Sequence, residues 1–128
     1  MVYLEDIRDA IRKIASYTTG FIRNLWWMSA IAGLFVLSIE TFSGDDRTVD
    51  AVVRNLEVIG EAVKNVPEPV RALHPAVEWR KIAGLRDVLI HAYFGVDVTV
   101  VWDVVQNKLP VLREQVDGIL KEDIEPGR

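Results

Sequence analysis

The chain has 128 residues, half of them apolar and 27% charged, a balance that supports a packed core and excludes a disordered chain. It contains no cysteine, which rules out disulfides and cysteine-held zinc, and its net charge of −4 argues against a protein that coats polyanions in general. The opening MVYLEDIRD is acidic early and lacks the basic-then-apolar order of a secretory leader, so a cytoplasmic protein forming one domain over residues 1–128 is expected.

Apolar residues recur at helical spacing along most of the chain. Leu4, Ile7, Ile11, Ile14 and Tyr17 form the first stripe, and Thr18, Thr19 and Gly20 are expected to end that helix. Residues 24–39, NLWWMSAIAGLFVLSI, carry no charge over sixteen positions. That is short of the roughly 20 apolar residues that a membrane span needs. A buried or interface helix is the expectation, and such a helix needs cover all round, which favours a second copy of the chain. The turn SGDDRT at 43–48 precedes a helix capped by Asp46 or Thr48. Its stripe is Val49, Val52, Leu56, Ile59, Val63 and Val66, and NVPEP at 65–69 ends it.

His74-Pro75 marks a loop, Glu78 or Trp79 opens the next helix, and Gly95 stands where a glycine would close it. Asp97 is placed to cap the last helix, with the stripe Val98, Val101, Val105, Leu109, Leu112, Val116 and Ile119. The run VDVTVVWDVV has the β-branched content of a strand, but the 3–4 spacing continues through it and predicts helix. Pro110 lies within that pattern and predicts a kink near 106–110, and the tail EDIEPGR should fray. These elements read as helices throughout.

The stretch 86–93, RDVLIHAY, sets Arg86, Asp87, His91 and Tyr93 within what otherwise reads as an apolar helix. Four residues separate Asp87 from His91, so on a helix the carboxylate can orient the imidazole. Arg86 and His91 are five apart and point about 140° away from each other, so one helix does not converge them. Two copies across a two-fold axis would. An arginine with a histidine suits phosphodiester transfer: imidazole moves protons near neutral pH and guanidinium neutralises a phosphate. With RNA the 2′-hydroxyl is the nucleophile, so no metal or cofactor is called for. The four residues could equally be a satisfied structural network, and spacing by itself does not choose. A metal site is disfavoured, since the chain has only two histidines and the Glu57–Glu61 pair reads as a solvated face. Residues 71–91 hold four cations (Arg71, Arg80, Lys81, Arg86) against Glu78 and Asp87, a local charge of +2 that leaves −6 for the rest. That is a hint of a phosphate-facing patch.

VYLEDIRDAIRKIASYT, DDRTVDAVVRNLEVIGEAVKNVPEPVR and PAVEWRKIAGLRDVLIHAYFGVD together resemble the HepT-like branch of the HEPN superfamily, the toxin half of HepT–MntA toxin–antitoxin pairs. The last segment holds the motif Arg-x4-His-x-Tyr as Arg86, His91 and Tyr93, with Asp87 after the arginine. The resemblance implies an all-α, HEPN-like fold, an antiparallel bundle of four to five helices, and metal-independent cleavage of RNA by a homodimer, as the toxin of a type VII system. It implies catalytic Arg86 and His91, supporting Asp87, and no membrane association. It also implies a minimal nucleotidyltransferase antitoxin, MntA-like, that transfers AMP to Tyr93. Residues 21–42 depart from it, being more apolar than the family's usual connection. An alternative is a non-catalytic helical adaptor that binds a nucleotidyltransferase, which the acidic charge suits.

Overall fold

The computed structural model describes residues 2–23, 40–91 and 98–124, with the backbone only at 19–23, 86, 88, 90, 91, 123 and 124. All its described elements are helices: α1 (Val2–Arg23), a turn at 40–43, α2 (Asp46–Lys64), α3 (Glu68–Leu73), α4 (Trp79–His91), α5 (Val98–Asp103) and α6 (Leu109–Ile124). A π-helical turn, Val104–Lys108, joins α5 to α6. The protein is all-α among the described residues. α2 lies between α1 and α4, and α6 closes against α1.

The stripes account for this packing. Leu4, Ile7, Ile11 and Ile14 of α1 and Val52, Leu56, Ile59 and Val63 of α2 are all buried. Each such side chain contributes about 1.5–3 kcal/mol relative to exposure, which holds the two longest helices together.

One feature of α1 differs from expectation. The helix does not stop at Thr18 but runs to Arg23. Tyr17 is 41% exposed and Thr18 is 1% exposed, so the buried series is 4, 7, 11, 14, 18. The Thr18 hydroxyl donates to the Ile14 carbonyl at 2.8 Å, which satisfies it without breaking the helix. Packing of that stripe outweighs the roughly 1 kcal/mol that a helical glycine such as Gly20 costs.

The entry to α2 is capped by Asp45, neither Asp46 nor Thr48. Its carboxylate accepts from the Thr48 N–H at 3.1 Å, the spacing at which a cap serves the third helical residue. α2 ends at Lys64, as the prolines require, with Asn65 as its C-cap. Pro67 and Pro69 then serve a start that the sequence reading did not anticipate. Pro67 caps the short α3 and Pro69 sits in its first turn, where its missing N–H costs nothing.

VDVTVVWDVV is helical from Val98 onward. The irregularity tied to Pro110 takes the form of the π turn, in which the Leu109 N–H reaches back five residues to the Val104 carbonyl. Pro110 has no N–H for the Gln106 carbonyl and its ring crowds that group, so the regular ladder is broken there in any case. The stripe itself also favours the wider turn. Val101, Val105 and Leu109 are successive fours and all are buried, whereas a regular helix would carry Leu109 about 80° off that line.

Gly95, Asp97, the apolar segment 24–39 and the end of the tail, 125–128, lie outside the described residues. Among the described residues, no helix is long and apolar enough to cross a membrane.

Candidate active site

α4 is the element that carries the motif, and its start is fixed from three directions. The Trp79 indole N–H donates to the His74 carbonyl at 3.0 Å, tying the helix to the loop before it. That loop is held to α6 by the Gln115 amide, which donates to the Ala76 carbonyl at 3.2 Å, and by His74 Nε2 lying 3.4 Å from a Glu122 carboxylate oxygen. Val77 is buried beneath it. His74 is therefore a tether in the loop. Among the described residues no group of three or more His, Cys, Asp or Glu could hold a metal ion.

The helical ladder opens with the Ile82 N–H on the Glu78 carbonyl at 3.0 Å. Trp79 and Leu89 are buried, while Ile82, Ala83 and Leu85 pack on the core from its edge. This ridge faces α2. Advancing about 100° per residue from Leu89 puts positions 80, 84, 87 and 91 within about 40° of the opposite side. The exposure agrees where side chains are described: Arg80 and Asp87 are exposed. A Cβ added at Gly84 would meet nothing within 4 Å. α4 thus presents an outward line of Arg80, Gly84, Asp87 and position 91.

All three helical site residues of the motif are therefore on one element. Asp87 is exposed and four residues before His91, on the same line. Arg86 lies on the shoulder of the helix, about 7.5 Å from His91 along the axis and 140° around it. Tyr93 lies outside the described residues. Within one chain the backbone of α4 does not bring positions 86 and 91 to a common face.

Four cationic residues beyond the motif share a groove at the head of α4. A shallow groove of about 680 Å³ runs between the end of α2, α3 and the first turns of α4, lined by Lys64, Arg71, Arg80 and Lys81 among others. Charge counting over 71–91 found three of these and missed Lys64, which is distant in sequence. The signal available was its place as the last residue before the Asn65-Val66-Pro67 stop.

The described residues form an all-helical fold, and one of its helices, α4, carries the sequence Arg-x4-His. Residues 7–119 match the family described as Ribonuclease HepT-like, and the chain belongs to that family and is a ribonuclease. It is 41% identical over 119 residues to "Probable ribonuclease HepT" of Thermococcus cleftensis, covering 93% of this chain and 94% of that protein. A Caldanaerobacter subterraneus protein named "Putative RNase" is 46% identical over 87 residues, 68% of this chain and 78% of its own length. A Methanocaldococcus jannaschii protein of the same printed name is 47% identical over 86 residues, 67% of this chain and 71% of its own. No solved structure matches.

Proposed function

We propose that this ribonuclease is the toxin of a type VII toxin–antitoxin pair, a single cytoplasmic domain that cuts RNA without a metal when two copies bring Arg86 and His91 into one cleft. The observation that carries the reading is family membership combined with the sequence motif Arg86, His91, Tyr93, whose first two members lie on a helix with an outer line open at Gly84 among the described residues.

The chemistry needs only these groups. An imidazole takes the proton of the 2′-hydroxyl, the 2′ oxygen bonds to phosphorus, and the bond from phosphorus to the 5′ oxygen breaks. The 5′ oxygen leaves with the proton that the imidazolium gives up, which restores the imidazole and gives a 2′,3′-cyclic phosphate and a 5′-hydroxyl. His91 serves in proton transfer, a role that typically contributes 10²- to 10⁴-fold. Arg86 holds the non-bridging oxygens as their charge grows. Asp87, four residues before His91, holds the imidazole in its working tautomer. AMP carried on Tyr93 by a cognate nucleotidyltransferase would place a second anion beside Arg86 and occupy the cleft.

The test is cleavage of RNA by the purified protein in EDTA. Wild type should cut, and Arg86→Ala and His91→Ala should each lose at least about 100-fold. Absence of cleavage in wild type, or full activity in both variants, sinks the reading. Intact mass after co-expression with the nucleotidyltransferase should rise by one adenylyl group, and Tyr93→Phe should abolish the increase.

A further inference from the structure

The basic groove at the head of α4 lies outside the motif, and its charge is arranged unevenly. Of its four cations, two are answered locally. Arg71 pairs with Glu68 at 2.7 Å and Lys81 lies 3.8 Å from Glu78. Lys64 and Arg80 are exposed and form no ion pair among the described residues. They come from different helices, α2 and α4, and line the same concavity. The groove therefore has a formal charge of +2 on a chain of net charge −4. Like charges sharing a groove are an electrostatic cost that folding tolerates and an anion would relieve.

The groove also has a direction. Arg80 is the first residue of the outward line that continues through Gly84 to Asp87 and position 91. Nothing lies over Gly84 within 4 Å of an added Cβ. Along the helix axis, Arg80 and His91 are about 17 Å apart. A flexible polyanion seated on Lys64 and Arg80 could run down this line and reach position 91 a few nucleotides later. Asp87, the single carboxylate on the line, comes last, at the spacing that answers an imidazolium.

We propose that Lys64 and Arg80 form a backbone-binding subsite for single-stranded RNA, holding phosphates a few nucleotides from the bond that is cut. The inference rests on the ribonuclease reading above for its substrate, and it assigns what that reading leaves open: where the strand lies outside the cleft. The contacts are to phosphate, so they select for strand and length and not for base.

The test uses the full chain in a His91→Ala background, so that the RNA stays intact. Binding of a fluorescent single-stranded 12-mer is followed by anisotropy across a salt series. Each phosphate contact to a single strand contributes a slope of about 0.7 in log K against log salt. Lys64→Ala/Arg80→Ala should therefore lower the slope by about 1.4 and weaken binding at 0.1 M salt by about 25-fold. Arg12→Ala/Lys13→Ala on α1, an equal charge change elsewhere, should leave the slope as it was. Both pairs are exposed, and circular dichroism melts should confirm that they fold. An unchanged slope for the Lys64/Arg80 pair overturns the proposal, as does an equal fall for the α1 pair. Binding of polyglutamate as tight as that of RNA also overturns it, marking the groove as a protein-docking surface. If wild type fails to cut RNA in EDTA while the Lys64/Arg80 slope falls as stated, the catalytic reading fails and the subsite stands.

Discussion

Trp102 offers a test of the core in which two effects oppose each other. The side chain is fully buried, its ring lies 4.7 Å from that of Phe42 at a tilt of 32°, and its buried indole N–H has no hydrogen-bond partner among the described residues. Trp102→Phe keeps an aromatic ring against Phe42 and removes the part of the indole that bears the N–H. The lost ring atoms and the space they leave cost roughly 1–2 kcal/mol. Removing an unpartnered buried donor returns about 1–3 kcal/mol. The sum runs from about 1 kcal/mol destabilising to about 2 kcal/mol stabilising. Trp102→Ala also relieves the donor, but it deletes the ring pair and most of the contact area, a change that costs about 3–5 kcal/mol in cores. Thermal denaturation followed by far-ultraviolet circular dichroism measures both. For a chain of this size the alanine variant should melt about 10–20 °C lower, while the phenylalanine variant should melt no more than about 5 °C below wild type. A phenylalanine variant as unstable as the alanine one would refute the reasoning, because it would mean that the N–H makes a bond of real worth.

Three further outcomes are expected. Asp45→Ala removes the cap on Thr48 and should cost about 1 kcal/mol, with Asp45→Asn recovering most of it, both read from urea midpoints. Gly84→Ala should stabilise the isolated fold by about 0.5–1 kcal/mol, since the added methyl meets open space and the helix gains propensity. Gly84→Leu should fold equally well yet lose RNA cleavage, because its bulk would stand on the outward line of α4; undiminished cleavage would mean that the strand does not cross there. Pro110→Ala restores a donor at an exposed position and should raise the melting temperature, with the π turn retained in the structure of the variant because the buried series 101, 105, 109 still demands it.

The helices and most of their ends were legible in the sequence because those signals are local. Val52, Leu56, Ile59 and Val63 repeat at the helical period, and Pro67 cannot continue a helix, whatever surrounds them. The same holds for the motif: Arg86, Asp87 and His91 sit on one helix, and their angular separation follows from geometry alone. Where the readings diverged, a second element had intervened. Thr18 is buried and Tyr17 exposed because α1 packs on α2 and α6 along a series that the polarity of threonine concealed. The cap on α2 is Asp45, one residue before the nearer of the two candidates, because the entering chain places its carboxylate over the Thr48 N–H. A kink is expected of a proline, but that the chain answers with a π turn depends on which residues of α5 and α6 must stay buried together.

What the sequence determined by itself is the long helices and the residues of the motif, since both are written in the spacing of neighbours along the chain, while the short α3 was not legible there. What only the tertiary structure decided is which surfaces meet. It tethered the start of α4 to α6 through Gln115 and His74, turned Gly84 outward, and set Lys64 and Arg80, sixteen residues apart, on one groove. Charge and polarity belong to single residues, whereas a groove belongs to the packing of three helices, and no count along the chain contains that distance.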